Sequence, residues 1–305
     1  MAQRDESDDT VDVPAARRFF ARSALCTGNA DPLSREVERR MLERLDYVRL
    51  TPSRFLDAGT GIGQGLGRLA GHYPAAMPVA IDSAHALLAQ IGNRGSLLER
   101  ARAVLSRRNP RLICADFANL PFAAGSFQLV WSNLALAWAL DPLEAFKEFR
   151  RVLDVGGLIM FSTYGPDTLK ELRQAFTVVD ELPHTLRFFD MHDLGDMLTA
   201  AGFSDPVMDM EVITLTYADF ETLASDLRFT GQVNAARGRR RGLLGRNAYL
   251  AMRNAYESMR SRGRLPVTVE VVYGHAWRGP TRVTPEGHSI IQTEFKQRRG
   301  GIARR

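Results

Sequence analysis

The stretch FLDAGTGIG, residues 55–63, runs from apolar residues through an aspartate into three alternating glycines. Phe55 and Leu56 are typical of the end of a buried strand, and glycines let the backbone turn sharply and approach a ligand closely. Residues 64–73 then have the pattern of a helix, whose first N–H groups would face that ligand. A strand, a glycine turn and a helix in this order predict the ligand-binding turn of an open α/β sheet.

The spacing of the glycines limits which ligand fits. A dinucleotide fingerprint needs G-x-G-x-x-G, and counting from Gly59 and Gly61 its third glycine falls on Gln64. A P-loop is excluded because no Gly-Lys-Ser/Thr follows. A second strand, PVAID, ends in Asp82, which is placed to accept both hydroxyls of a ribose. The pair suits S-adenosylmethionine, with an ordinary tight turn as the alternative.

Strands and helices alternate from Arg54 to Thr163, which predicts parallel βαβ units in a doubly wound sheet with helices on both faces. The predicted strands are FLD, PVAID, RLICAD, FQLVWSN and GLIMFST, with two more near 211–217 and 268–277. The predicted helices cover residues 34–47, 64–73, 142–153, 167–177, 190–201 and 219–229. Together they predict an α/β fold with a seven-stranded, mostly parallel sheet.

Three regions differ in composition. Residues 1–15 are charged and nearly free of large apolar side chains, which predicts a disordered tail. Residues 16–280 form the predicted folded domain, in which about 165–265 contains a helical lid over the carboxyl edge of the sheet. Residues 281–305 are predicted to be a basic, flexible tail.

The composition is that of a soluble enzyme, with 45% hydrophobic residues among 305. No apolar run approaches the roughly 18 residues that span a bilayer, and the start, MAQRDESDDT, is too acidic and polar for a signal peptide. Cys26 and Cys114 form neither a disulfide framework nor a metal motif, so we predict no metal. We expect a cytoplasmic protein that does not bind a membrane.

Polar side chains stand at four predicted strand ends, where ligands bind in such sheets. They are Asp57, Asp82, Asp116 and the pair Ser132-Asn133. Asp116 could accept a hydrogen bond from an adenine amino group while Phe117 packs on the ring. The alternatives are a helix N-cap for Asp116 and a turn former for Asn133.

Several segments resemble the Rossmann-like class I S-adenosylmethionine-dependent methyltransferases: LDAGTGIG, AID, CADFANLPFAAGSFQLVWSNLALAW and FRRVLDVGGLIMFST. Three later segments, FSTYGPDTLKELRQAF, HTLRFFDMHDLGDMLTAAGFSDPVMD and VEVVYGHAW, resemble the malonyl-acyl-carrier-protein O-methyltransferases of biotin synthesis. The resemblance covers roughly residues 17–278. It implies a carboxyl O-methyltransferase that moves a methyl group from S-adenosylmethionine to the free carboxylate of a malonyl thioester.

The resemblance also implies roles for individual residues. The methionine and ribose parts would be held by Gly59, Gly61 and Asp82, and the adenine and sulfonium would be surrounded by Asp116, Phe117 and Asn133. The family commonly has Gly-Cys-Gly at Gly59-Thr60-Gly61, which preserves the turn. Many members carry a Tyr-Asp pair over the cofactor where this chain has Thr27-Gly28.

The implied acceptor is already ionised at neutral pH, so the reaction needs no general base and we name no catalytic residue with certainty. A cation should orient the acceptor carboxylate. We hypothesise that His184 or Arg187, in PHTLRFF, does so. The alternatives are a surface histidine and a solvated arginine.

The net charge of +5 is concentrated in Arg237–Arg241 and Lys296–Arg305. Acyl carrier proteins are acidic, so these runs predict a rim that steers a carrier protein. Nucleic acid is the less favoured partner, because no stacking motif accompanies the arginines and SNLA (132–135) lacks an Asn/Asp-Pro-Pro-aromatic motif. The C-terminal run could also be a solvated tail.

Two rival functions remain open at this point. One rival is a protein of related fold that hydroxylates a protein arginine and assembles respiratory complex I. It shares stretches like DTLKEL and DLGDML with this chain. The other rival is a noncatalytic protein that binds S-adenosylmethionine. The ending VEVVYGHAW favours the malonyl methyltransferase.

Overall fold

The computed structural model describes residues 10–24, 31–92 and 109–280. In these ranges seven strands form one sheet in the order β3-β2-β1-β4-β5-β7-β6. The strands are β1 (Arg54–Ala58), β2 (Met77–Asp82), β3 (Arg111–Cys114), β4 (Phe127–Ser132), β5 (Leu153–Tyr164), β6 (Ser204–Tyr217) and β7 (Leu265–Trp277). Neighbouring strands are parallel except at β7, which is antiparallel to β5 and β6. The predicted α/β, mostly parallel sheet is confirmed.

Helices cover both faces of the sheet. Those in the described ranges are α1 (Val13–Ser23), α2 (Pro32–Leu45), α3 (Leu66–His72), α4 (His85–Gly92), α5 (Pro142–Val152), α6 (Lys170–Phe176), α7 (Met191–Ala200), α8 (Phe220–Phe229) and α9 (Arg246–Glu257). Alternate residues of a strand point to opposite faces, so Phe55 of β1 joins the core under α2 and α3, whereas Leu56 joins the core under α5 and α7. None of these helices is long and apolar enough to cross a membrane.

Aspartate caps begin several helices where the sequence indicates a start. Asp141 accepts a hydrogen bond from the N–H of Leu143 at 2.9 Å and is followed by Pro142, whose fixed φ suits a first helical position. The predicted helix 142–153 is confirmed as α5. Asp31 caps α2 in the same way, accepting from the N–H groups of Leu33 and Ser34.

The N-terminal boundary was predicted wrongly. Residues 11–15 were assigned to a disordered tail, but Val11 is buried and pairs with Ala236. Asp12 caps α1, which begins at Val13. The apolar residues here are few, and their burial depends on a segment far along the chain.

The region predicted as a helical lid, about 165–265, contains a strand of the main sheet as well as helices. β6 starts at Ser204 rather than near 211 and pairs along β7 as an edge of the sheet. α9 was not predicted, and it buries Met252 and Tyr256 in the same core as α2. The Thr27-Gly28 pair and the tail 281–305 lie outside the described residues.

Candidate functional site

A cavity of about 740 Å³ lies at the carboxyl ends of β1, β2 and β4. Its wall includes every residue that we predicted to bind the cofactor, namely Asp57, Gly59, Gly61, Asp82, Asp116, Phe117 and Asn133. Parallel strands bring their carboxyl ends to one edge of the sheet. Residues that are far apart in the sequence, such as Asp57 and Asn133, therefore meet here. The contacts of these residues with a ligand remain predictions.

The glycine turn is fixed by backbone contacts to β2. The N–H groups of Gly59 and Thr60 both donate to the Ile81 carbonyl at 2.9 Å. Gly59 has φ +82°, and a Cβ on it would lie 2.2 Å from the Cβ of Ala135. Gly61, at φ +56°, is different because a Cβ there would meet no atom within 4 Å and would stand in the open cavity. Gly59 is therefore required for packing, and Gly61 leaves room for a ligand.

Asp82 holds the turn from the next strand. One of its oxygens accepts from the N–H of Gly61 at 3.0 Å and the other from the N–H of Ala84 at 2.8 Å. Burial raises the pKa of Asp82, and these hydrogen bonds counter the rise only in part. Each carboxylate oxygen can accept a second hydrogen bond, so the predicted contact with ribose hydroxyls is sterically and chemically available.

Buried carboxylates dominate the electrostatics of the cavity. Asp57 is 5% exposed, and its burial, with the charges of Glu38 and Asp82, raises its pKa to about 7. Glu38 lies behind the turn, is 2% exposed and forms an ion pair with Arg68 at 2.9 Å. The described residues that line the cavity include no Lys, Arg or His. A pocket of this kind fits a cationic ligand.

Asn133 connects three elements at the cavity wall. Its Nδ2 donates to the backbone carbonyl and to the hydroxyl of Ser34 in α2, at 2.9 and 3.1 Å. Its Oδ1 accepts from the Ser162 hydroxyl of β5 at 2.8 Å. The side chain is thus more than a turn former, because it ties the end of β4 to α2 and β5.

Helix α1 covers the cavity and was missed in the sequence. Val13, Phe20 and Ser23 contribute to the cavity wall, and Arg17 donates to Asp116 at 2.6 Å. Asp116 also accepts from the N–H of Ala118, so it occupies a tight turn and not the N-cap of a helix. The Asp-x-Pro start and the pair Phe19-Phe20 were the available signals for this helix.

A second cavity, of about 210 Å³, adjoins the first. Five residues line both cavities: Asp31, Trp138, Tyr164, Thr230 and Gln232. Tyr164 ends β5 at this junction, is 3% exposed, and its hydroxyl makes no hydrogen bond of ordinary geometry, although Gln232 lies nearby. Burial and the charge of Asp31 raise the pKa of this hydroxyl well above its ordinary value, so it stays protonated.

The two candidate carboxylate binders lie in different places. His184 lines the second cavity, stacks on Phe176 with ring centroids 3.6 Å apart, and bonds to Asp180 at 2.8 Å. Arg187 is exposed and, beside Phe189, lines a third cavity of about 80 Å³, which shares Tyr164 with both larger cavities. The structure therefore does not bring them to one point, and the role of each remains a prediction.

Arg228 was missed in the sequence. It belongs to the last turn of α8, is exposed, and lines the second cavity. Among the described residues that line the first two cavities, Arg228 is the one arginine or lysine, and His184 is the one histidine. Because His184 is already bonded to Asp180, Arg228 is the cation with more freedom to meet an anionic acceptor.

Comparison with known proteins identifies the family. Residues 56–161 match the family described as a methyltransferase domain. The protein named malonyl-[acyl-carrier protein] O-methyltransferase in Gallionella capsiferriformans is 49% identical to this chain, over 94% of this chain and 98% of the relative. The relative in Laribacter hongkongensis is 47% identical, over 92% and 96%. The chain belongs to the malonyl-[acyl-carrier protein] O-methyltransferase family.

Solved structures agree with this family at the level of the fold. The YcgJ protein from Bacillus subtilis has a TM-score of 0.55 and 13% identity, over 79% of this chain and 99% of that one. A putative methyltransferase from Bacillus halodurans has a TM-score of 0.54 and 15% identity, over 80% and 100%. At such identities the likeness supports the fold alone.

S-adenosylmethionine is the methyl donor of this methyltransferase family, and the larger cavity fits it. When bound, it supplies a methyl group from a sulfonium, and it carries a second positive charge on its amino group. The carboxylates of buried Asp57 and partly buried Asp82 and the open space over Gly61 suit such a cation. We predict that these residues hold the donor.

Replacement of Gly61 by alanine tests the donor cavity. The added methyl group stands in the open cavity, so we expect the affinity for S-adenosylmethionine, measured by calorimetry, to fall about tenfold or more. The left-handed backbone should cost roughly 1–2 kcal/mol of stability. Gly67→Ala is the control, because its Cβ also meets no atom but lies within α3. Equal affinities of the two variants would contradict the assignment.

The raised pKa of Asp57 predicts a pH dependence for the ligand-free protein. The folded carboxyl keeps its proton to about pH 7, whereas the unfolded one releases it near 3.8. Between these values the folded state binds more protons, so the free energy of unfolding falls as the pH rises. Asp57→Asn should therefore give a flatter curve than the wild type over roughly pH 5 to 8, measured by urea denaturation.

The comparison must be made between variant and wild type, because burial lowers the pKa of His275 and gives a slope of opposite sign. Asp193→Asn, at an exposed site in α7, is the matched control and should leave the slope unchanged. A wild-type slope retained in Asp57→Asn would refute a raised pKa at this carboxyl.

Proposed function

We propose that the chain transfers a methyl group from S-adenosylmethionine to the free carboxylate of a malonyl thioester on acyl carrier protein, an early step of cytoplasmic biotin synthesis. The shared name of relatives aligned over nearly the whole chain supports this acceptor. The observation in the structure that carries the proposal is the junction of the two cavities. There a donor and an acceptor would reach one point from two sides.

The walls of the second cavity suit the thioester end of the acceptor. Apolar side chains from α6, α8 and β7 dominate them, including Leu172, Phe176, Leu223 and Val267. An acyl chain lying along this surface would present its terminal carboxylate at the junction with the donor cavity. Donor and acceptor would then meet at Thr230, the residue after α8, and at Tyr164, the last residue of β5, which line both cavities.

The residues at the junction act by orientation and by exclusion of water. The acceptor carboxylate is anionic at neutral pH, so its oxygen is nucleophilic without a general base. Tyr164 keeps its proton, and its hydroxyl makes no hydrogen bond of ordinary geometry, so it can donate a hydrogen bond to that carboxylate. Alignment at near-attack distance in a dry site can contribute several kcal/mol to the rate. Methylation removes the negative charge of the acceptor.

Arg228 is the proposed counter-ion of the acceptor carboxylate. It stands at the C-terminal end of α8, and Thr230, two residues later, lines the junction. A charge-assisted hydrogen bond from a guanidinium would fix the carboxylate before transfer. His184 and Arg187 remain alternative binders.

The function is tested with donor labelled in its methyl group and malonyl-loaded carrier protein. We expect label on the carrier protein as a methyl ester that mild base releases as methanol. Succinyl-loaded carrier protein is the control for acceptor length. A labelled product that resists base, or no transfer with demonstrated donor binding, would contradict the proposal. The second outcome would favour a noncatalytic binding protein, and modification of a protein arginine would favour the hydroxylase-type relative.

Replacement of Arg228 by glutamine tests the counter-ion. Loss of a charge-assisted hydrogen bond should lower kcat/KM for malonyl carrier protein about 10- to 100-fold, while the affinity for the donor stays unchanged. Arg228→Lys keeps the charge and should recover part of the activity. Arg187→Gln in the same assay compares the two candidates. An unchanged kcat/KM in Arg228→Gln would remove this residue from the acceptor site.

A further inference from the structure

The basic run Arg237–Arg241 divides into arginines with internal roles and arginines exposed to solvent. Arg239 is largely buried and pairs with Asp12 at 3.0 Å, next to the start of α1. Arg240 pairs with Asp180 at 2.6 Å. Arg237 and Arg241 are exposed, and Arg241 lies 3.8 Å from Asp12, a weak contact for a side chain that is 73% exposed. The run is thus partly a structural support.

The pair between Arg240 and Asp180 joins the loop 178–184 to residues 237–246, a loop that ends at the first residue of α9, and we call these two segments the paired loops. A second contact joins their bases, since Asn234 donates to the Pro183 carbonyl at 2.6 Å. Among the described residues of the paired loops, the acidic ones are Asp180 and Glu181. Hydrogen bonds from Arg240 and His184 outweigh the effect of burial and hold the pKa of Asp180 at about 2. Asp180 is thus ionised and balanced by Arg240, and five arginines against two acidic residues leave the surface of the paired loops basic.

Apolar side chains stand among these charges. Leu243 is 98% exposed, Val178 is 58% exposed and Leu182 is 41% exposed. Arg246, at the start of α9, is also exposed and has no ion pair among the described residues. Leucine and valine at such exposure beside free arginines are typical of a surface that contacts another protein.

The paired loops adjoin the acceptor cavity. His184, whose imidazole bonds to Asp180, lines that cavity, and so does Asn234, which holds the base of the second loop. A partner seated on the paired loops would therefore stand beside the cavity in which we place the malonyl group. This position suits a protein that carries the thioester on a flexible arm.

We infer that the paired loops are the docking surface for the acyl carrier protein, with Arg237, Arg241 and Arg246 contacting its carboxylates and Leu243 contacting an apolar patch. The inference rests on the proposed function, because it takes the carrier protein as the substrate. Charge complementarity and continuity with the acceptor cavity support this partner. Nucleic acid is less suited, since the loop 237–246 has no aromatic side chain on which bases could stack.

The test separates docking from chemistry with two acceptors. One is malonyl-loaded carrier protein, and the other is the malonyl thioester of N-acetylcysteamine, which lacks both protein and phosphate. In Arg241→Glu/Arg246→Glu and in Leu243→Ser, kcat/KM should fall about tenfold or more for the carrier protein. The small thioester should be methylated at the wild-type rate. Arg111→Glu, exposed at the amino end of β3, is the control and should change neither value.

Salt provides a second measure of the same contact. Raising the ionic strength should weaken methylation of the carrier protein by the wild type and should affect the double variant much less. An unchanged kcat/KM for the carrier protein in both variants overturns the inference. An equal loss on both acceptors also overturns it, because the loops would then only support the cavity.

Failure of the proposed function can be distinguished from failure of the docking inference by measuring both methylation and binding. If the wild type methylates neither acceptor, the function fails, and docking is then measured by fluorescence anisotropy of labelled carrier protein. Binding that the double variant loses would retain the docking surface without the reaction. Binding of a labelled oligonucleotide that depends on the same arginines, without binding of carrier protein, would assign the surface to nucleic acid and overturn the inference.

Discussion

The two hydrogen bonds from the N–H groups of Gly59 and Thr60 to the Ile81 carbonyl are the contacts on which the site depends. The parallel register places Ala58, the last residue of β1, beside Ile81 of β2. The chain must turn at once, and Gly59 does so with a positive φ where a Cβ would collide with Ala135. Asp82, the next residue of β2, then captures the N–H of Gly61. One short segment of β2 thus sets the whole turn, and the donor cavity is built around it.

The same arrangement creates an electrostatic cost that a ligand relieves. Asp57 and Asp82 stand at the carboxyl edge of the sheet, where Asp82 accepts from the backbone N–H groups of Gly61 and Ala84, and burial raises the pKa of each. Glu38, behind the turn, adds a third buried carboxylate, which Arg68 balances from one side only. A cationic donor bound there would supply the missing positive charge. Affinity for the donor and stability of the apoprotein would then be linked through one group of carboxylates.

Local signals explain what the sequence could predict. The turn after β1, the acid at the end of β2 and the Asp141-Pro142 helix start each occupy a few consecutive residues, and all were found. The order of the residues before α1 was missed because the burial of Val11 depends on Ala236, which no local pattern reveals. The local signals of α1 itself were present in the sequence and were overlooked. The contacts of the predicted candidate His184 are partly local, because Phe176 and Asp180 lie eight and four residues before it. The arginine that also binds Asp180 is Arg240, which lies far along the chain.

The junction of the two cavities could not be predicted from local sequence patterns either. It draws Asp31, Trp138, Tyr164 and Gln232 from four separate segments, so no motif marks it. In a run of arginines, only those that form no close ion pair within the protein are available to bind a partner. Here those internal pairs reach Asp12 at the start of α1 and Asp180 beside the second cavity. One loop consequently supports the cover of the donor cavity and the wall of the acceptor cavity, while its remaining arginines face solvent. A protein bound there would contact the element that links both halves of the site.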